Sequence, residues 1–437
     1  MKRIFTFFLS TVLLVGVSAQ NSDLMISEYV EGWSNNKALE IYNPTPGVLD
    51  LSEYRLVRYS NGEDVPPPED KWTVDLPAVD LGPYQTFVIV IDQRNPQGTG
   101  QTAPVWEQLQ QRADVFLCPD YNISETMYFN GDDAVVIEKN EGGGTWSIQD
   151  IFGRWGPPAP ALAPFVGSTK EDNAWTNVAP YVTGEGVAIT GEHTMIRKSS
   201  VVNAVLNNPS LFNPLAEYDT LPANTFNHLG WHDFDNAPAN ETPQFGSSSY
   251  KFAVSPGAGN NTVIGNINAT DAEGDPLNFY IDYNNFIYID DVRYEPFALD
   301  KETGELTVAD ANGLAPEILD TFYLEVTVND GYSQADPTTV MVIVTDEDIG
   351  TAVDYKKGSN LNLFPNPVLN NRFEIRDELA FNEVTVLNLL GQVVFQRNYD
   401  LPVNQDNIYI ENTSKGIYMV NIKYPGGESR IQKLIFK

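Results

Sequence analysis

Two pairs of acidic residues, each separated by a single position, stand out in the second half of the chain: Asp271 with Glu273, and Asp300 with Glu302. On an irregular loop, carboxylates two apart can converge on one ion. Calcium, a hard cation, takes six to eight oxygen ligands from such loops. The surroundings favour a cation, since residues 244–348 hold 3 basic residues against 19 acidic ones. A second group, His228, His232, Asp233 and Asp235, offers imidazole and carboxylate donors. Structural zinc sites need four well-placed ligands, so this group reads as a closing strand and linker. Glu28, Glu31 and Glu40 invite an acid–base reading, but no matched nucleophile or base lies near them in sequence. They are expected to be solvent-facing strand carboxylates. The chain has no His-Glu-x-x-His, Gly-x-Ser-x-Gly or phosphate-loop motif. Catalytic residues are therefore expected to be absent.

The balance of the whole chain narrows the partners. It has 437 residues, a formal charge of −33, three histidines and one cysteine. A surface this negative repels phosphate backbones and anionic headgroups, which excludes nucleic acid and membrane-surface partners. Cys118 has no second cysteine to pair with and reads as a small buried hydrophobe. The length suggests roughly three domains of about 150 residues each.

The elements that must position these residues are strands. Apolar runs at 87–91 and 134–137 are bounded by Gly, Pro, Asn and Asp. Phe322, Leu324, Val326 and Val328 alternate with polar neighbours, as do Val340, Val342 and Val344. Residues 105–112 form the best helix candidate, and it is short. With 32 Gly and 29 Pro, the composition suits sandwiches with many tight turns. Lys2 and Arg3, the apolar stretch 4–17 and the small residues Val17 and Ala19 spell a secretory signal peptide over 1–19. No later segment has an apolar run long enough to span a bilayer, so the mature chain is expected to lack a membrane-spanning segment. Polar, Pro- or Asn-rich stretches at 234–243 and 347–359 read as linkers. Residues 360–437 carry 8 basic and 8 acidic residues, so the acidity belongs to what precedes them.

Three resemblances follow from ordered motifs. Residues 20–233 resemble a bacterial lamin-tail domain through LMISEYVEG at 24–32, SNNKALEIYN at 34–43, FNGDDAV at 129–135, HTMIRK at 193–198 and NTFNHLG at 224–230. That family implies an immunoglobulin-like sandwich, with the Pro-rich stretch 156–164 as an extended loop. Residues 244–346 resemble a cadherin-type repeat through TVIG at 262–265, ATDAEGD at 269–275, LDKETGEL at 299–306, VNDG at 328–331 and VTDED at 344–348. The cadherin resemblance implies a calcium set of Asp271, Glu273 and Asp330 facing the preceding linker, where Asn240 and Glu241 join them. Asp300, Glu302, Asp346 and Asp348 would lie at the opposite end. The chain departs from the family at Ser255-Pro256-Gly257, where a Glu is usual, and a second repeat is missing. Residues 360–437 resemble the type A C-terminal sorting domain of the type IX secretion system. The carrying residues are LFPNP at 363–367, VTVLN at 384–388, GIYMVNI at 416–422 and KLIFK at 433–437. The sorting-domain resemblance implies export across the outer membrane of a Gram-negative bacterium.

Together these give an all-β chain of tandem immunoglobulin-like β-sandwiches. Its expected role is non-catalytic binding or adhesion at the cell surface or in the medium, stiffened by calcium. Delivery would run through the periplasm and the type IX secretion machinery, toward an extracellular protein or glycan ligand. The alternative is a nuclease-associated or diverged hydrolytic protein, because lamin-tail domains are often attached to secreted nucleases.

Overall fold

The apolar runs form strands that close around three separate cores. The structure is a computed structural model that describes residues 23–62, 71–156, 174–181, 186–290, 292–346, 361–369, 371–388, 392–410, 413–424 and 429–436. The signal segment 1–19, nearly all of the Pro-rich stretch 156–164, and the linker 347–359 with Asp348 lie outside the described residues.

The first module contains strands β1 (Met25–Glu31), β2 (Lys37–Tyr42), β3 (Tyr54–Tyr59), β4 (Thr73–Asp75), β5 (Thr86–Ile91) and β6 (Val115–Leu117). Strands β7 (Ala134–Gly142), β8 (Thr145–Phe152), β9 (His193–Arg197) and β10 (Tyr218–Pro222) complete it. Six strands form one sheet in the order β10-β9-β1-β2-β5-β6, and four form the other in the order β8-β7-β3-β4. The two sheets bury their facing side chains against each other: Tyr29 of β1 stacks on Phe152 of β8 with ring centroids 4.1 Å apart. The expected helix shrinks to one turn, Glu107–Gln110. The Val105 amide instead donates to the Gln93 carbonyl at 2.7 Å. Phe234, at the head of the expected linker, is buried with Met25 and Tyr42 of this module.

The second module has strands β11 (Ser249–Val254), β12 (Val263–Asn266), β13 (Asn278–Tyr283), β14 (Phe297–Leu299), β15 (Glu305–Val308), β16 (Thr321–Asn329) and β17 (Thr338–Val344). Their sheets run β11-β17-β16-β13 and β12-β15-β14. β11 lies parallel to β17, and the other pairs are antiparallel. Phe322, Leu324, Val326 and Val328 all point into the core, as their alternation requires. Phe297 meets Phe322 edge-on across the layers at 5.0 Å.

The third module has β18 (Asn362–Leu369), β19 (Arg372–Asn388), β20 (Val393–Tyr409), β21 (Gly416–Lys423) and β22 (Ser429–Phe436). Its sheet order is β18-β22-β21-β19-β20, with β18 also pairing β19. β19 changes partners along its length. One edge pairs with β20 throughout, residues 372–376 with 405–409 and 383–387 with 393–398, while the other edge passes from β18, where 374–376 pair with 362–364, to β21, where 383–388 pair with 418–423. The register breaks around Phe381, which is fully buried, let the strand turn a corner and serve two layers. Among the described residues, no helix is long and apolar enough to cross a membrane.

Candidate functional site

Three segments of the second module bring acidic groups to one end. Residues 271–275 follow Ala269–Thr270, which pairs with Gln244–Phe245, and Asp330 directly follows β16. Asn240 and Glu241 precede that first pairing strand, so the pairing delivers them to the same end. The Asn240 side-chain amide donates to Asp330 Oδ2 at 2.8 Å, and the Glu241 amide donates to Glu273 Oε2 at 3.2 Å. Asp275 belongs to this group although its motif position alone did not mark it. Partial burial raises its carboxyl above the usual range, and the charges of Asp271, Asp330 and Glu273 raise it further. Asp271 Oδ2 is buried with no hydrogen-bond partner. Other oxygens are engaged by their own loops. Asp271 Oδ1 accepts from the Gly274 and Asp275 amides, and Asp330 Oδ1 from those of Tyr332 and Ser333. Among the described residues, no three His, Cys, Asp or Glu side chains are grouped to hold one metal ion.

The opposite end is looser. Asp300 Oδ1 accepts from the Glu302 amide at 3.2 Å, the Thr303 amide at 2.8 Å and the Thr303 hydroxyl at 2.6 Å. Those bonds hold the Asp300 carboxyl below its usual value. Asp346 accepts from the Ser255 hydroxyl at 2.6 Å, in the turn where the cadherin family usually has a Glu. Ser255 takes up the role of a local cap there.

The expectation for the first-module carboxylates is corrected. Glu28 and Glu40 are each 1% exposed and Glu31 is buried, so none faces solvent. The absence of a partner nearby in sequence suggested an outward position, but β1 and β2 lie in the middle of a six-stranded sheet and are buried along their whole length. Glu31 pairs with Lys37 at 2.6 Å. Glu28 and Glu40 are directly opposite each other across β1 and β2. Glu40 Oε1 accepts from the Ser27 hydroxyl at 2.7 Å, and its Oε2 accepts from the Gly230 amide at 2.5 Å. Glu28 Oε1 is buried without a partner. Burial pushes the Glu28 carboxyl well above the usual carboxylate range, helped by the charge of Glu40, and pushes Glu40 up to about 8.

Next to this pair the first two modules join. Arg112 donates from one guanidinium nitrogen to the Leu229 carbonyl at 2.7 Å. The other nitrogen donates to the Asp282 carboxylate and to the Thr327 hydroxyl. Its guanidinium lies 3.6 Å from the Tyr280 ring centroid. Lys301 pairs with Asp114 at 2.7 Å, and the His232 amide donates to the Gly331 carbonyl at 3.2 Å. Sequence spacing gave no sign of this junction, because its partners are 170 positions apart.

The histidines sit in packed surroundings. His232 is buried edge-on to Tyr42, with ring centroids 5.0 Å apart, and burial lowers it to about 3. His228 stacks on Trp231 at 5.7 Å. Asp233 and Asp235 are exposed. Cys118 is buried beside the Ser124 hydroxyl, and burial raises its thiol above the ordinary value.

Comparison with protein families finds a Lamin Tail Domain over residues 17–150 and a Secretion system C-terminal sorting domain over residues 362–437. The lamin-tail match ends within β8, whereas β9 and β10 beyond it fill the edge of the six-stranded sheet. Both matched domains are non-catalytic modules. The sorting domain marks the chain for export by type IX secretion to the cell surface or beyond. A comparison with curated proteins finds no match. Among solved structures, similar ones include the third cadherin domain from human protocadherin 7, at 19% identity and TM-score 0.21, covering 26% of this chain and 97% of that one. Mouse clustered PcdhgC3 EC1-3 is 25% identical, covering 30% of this chain and 39% of that one, with TM-score 0.20. Human CDH23 EC21-23 is 17% identical, covering 45% and 68%, with TM-score 0.21.

Proposed function

We propose that the mature protein is a non-catalytic binding or adhesion protein, displayed on or released from the cell surface, and stiffened by calcium at the acidic end of its second module. The single observation that supports the calcium reading is the delivery of Asp271, Glu273, Asp275 and Asp330 with Asn240 and Glu241 to one end of the module, where Asp271 Oδ2 is buried and unpartnered; an ion would have to draw these carboxylates, which are not grouped around one point, into a shared shell. Such crowding of like charge is unfavourable without a cation, and a divalent ion bound by oxygen donors relieves it. Asp271, Glu273, Asp275 and Asp330 would supply carboxylate oxygens, with Asn240 and Glu241 closing the linker side. Asp300 and Asp346 support the reading less, because Oδ1 of each is already engaged, Asp300 by the Thr303 amide and hydroxyl and Asp346 by the Ser255 hydroxyl. Delivery would start with the signal segment 1–19 and finish with removal of the sorting domain. The ligand would be an extracellular protein or glycan.

Binding of the purified mature chain to whole cells and to glycan surfaces, with calcium and with chelator, tests this reading. Saturable binding that weakens in chelator is the expected result. Absence of binding to any surface in calcium leaves only a spacer role. DNA hydrolysis lost on replacing His228, His232 or Asp233 would establish the enzymatic alternative.

A further inference from the structure

Glu28 and Glu40 form a buried pair of like charge at the foot of the junction between the first two modules. β1 and β2 place them opposite each other, and the neighbouring strands supply no countercharge: Ile196 of β9 flanks Glu28 and Val88 of β5 flanks Glu40. The charged groups around them come from the segment after the short helix. Arg112 is attractive to both, and Asp114, which binds the Val88 amide and Lys301, repels Glu40. Beyond Arg112 lie Asp282 of the second module and His228. Glu40 also holds the amide of Gly230. Gly230 has no room for a side chain, because a Cβ there would lie 2.9 Å from the Tyr280 hydroxyl and 3.2 Å from Asn329 of the second module. Glu40 of the pair therefore grips the very segment on which the second module rests.

We propose that Glu28 and Glu40 are a proton-operated latch: with a proton retained between them the first two modules lock as one body, and its loss loosens the junction at Gly230 and Arg112. Two ionised carboxylates in that buried position would repel each other, and Arg112 cannot satisfy both while it is committed to Asp282. Burial already raises both groups, which fits proton retention at neutral pH. The sign follows. A carboxyl held higher in the folded state than in the unfolded one stabilises fully below about pH 4.5, and that contribution disappears as pH rises through about 8. The latch thus opens on the alkaline side.

Hydrogen–deuterium exchange on the full chain from pH 6 to 9, corrected for the intrinsic pH dependence of exchange, tests this. Peptides covering 228–232 and 278–283 are expected to lose protection about tenfold across that range, while peptides of β21 stay level. In Glu28→Gln/Glu40→Gln the junction peptides are expected to stay protected throughout. Unchanged pH dependence in the double variant, or equal loss in β21, would overturn the proposal. Should the double variant not fold, Glu28→Gln alone decides, since it leaves both hydrogen bonds of Glu40 in place. A flattened profile supports the latch, and an unaltered one refutes it.

Discussion

Arg112 of the first module and Asp282 of the second form an ion pair with both side chains almost wholly removed from solvent. The pair is bound into its surroundings by the Leu229 carbonyl, the Thr327 hydroxyl and the Tyr280 ring. Such a network ties the lamin-tail module to the one after it, so the two are expected to unfold together. Removing one partner leaves an uncompensated buried charge, at about 3–5 kcal/mol. Arg112→Ala in the full chain should lower the midpoint of chemical denaturation accordingly and split one transition into two. Arg112→Met/Asp282→Leu, which removes both charges and keeps apolar volume, should recover most of that loss. A single-mutant effect below about 1 kcal/mol would mean that the pair is solvated in solution.

Gly304 tests the turn that ends the LDKETG motif. Its φ is +70°, and a Cβ there would lie 2.3 Å from the Ile267 carbonyl, so the turn from β14 to β15 closes against the residue that follows β12. The Ile267 amide in turn donates to the Gly304 carbonyl at 2.8 Å. Gly304→Ala should cost about 2–4 kcal/mol, from left-handed backbone strain plus the overlap. Gly257→Ala is a matched control, since its nearest neighbour would be 3.7 Å away. Denaturation midpoints of the two variants should differ clearly.

The strands were legible where local pattern and burial agree. Phe322 to Val328 alternate because one face of β16 is core, and the run in β5 is continuous because that strand is buried along almost its whole length. Of the acidic end, only Asp271, Glu273 and Asp275 share one stretch of sequence; Asn240–Glu241 arrive through the Gln244–Phe245 pairing and Asp330 at the end of β16, which local spacing does not encode. The burial of Glu28 and Glu40 was not legible. Nothing near them in sequence reveals that Gly230, whose amide donates to Glu40, and Arg112 come up to that face. Arg112 was equally hidden. Its role depends on a partner in another module, and no local spacing encodes a contact of that kind.

Calcium should stabilise the second module modestly. With a dissociation constant near 0.1 mM and about 1 mM ion, the contribution is roughly 1.4 kcal/mol. Melting the full chain in calcium and in chelator should shift the midpoint of the jointly unfolding first two modules by about 2 °C. Asp330→Asn should abolish the shift and lower the chelator midpoint only slightly, because Asn can still accept from the Tyr332 and Ser333 amides and loses the bond from Asn240. Identical midpoints for the parent protein in the two buffers would remove calcium from the account.

His232 should govern part of the acid limb of stability. Its imidazole is buried neutral, and burial lowers it from about 6.5 to about 3. A group depressed in the folded state favours folding above its unfolded value, and that contribution is lost as pH falls from 6.5 toward 3. His232→Phe, placed between Tyr42 and Phe234, should flatten the fall in denaturation midpoint across that window. A curve parallel to the parent's would show that the imidazole reaches solvent.

The last module has a core of its own and carries the export signal. The cores of the first two modules draw no residue from 361–436, so removing 360–437 leaves both intact. Contacts across that boundary, such as the Asn421 side-chain amide donating to the Tyr323 hydroxyl at 3.3 Å and the Lys433 charge acting on Glu325, are minor beside those packed interiors. Truncation should therefore give a folded product with the parental melting midpoint for its first two modules, retained inside the outer membrane. Fractionation into medium, surface and periplasm reads this directly. Truncated protein reaching the medium in parental amounts would show that 360–437 is not the address. Misfolded truncated protein would contradict the independence of the cores instead, so a melt of the periplasmic fraction distinguishes the two outcomes.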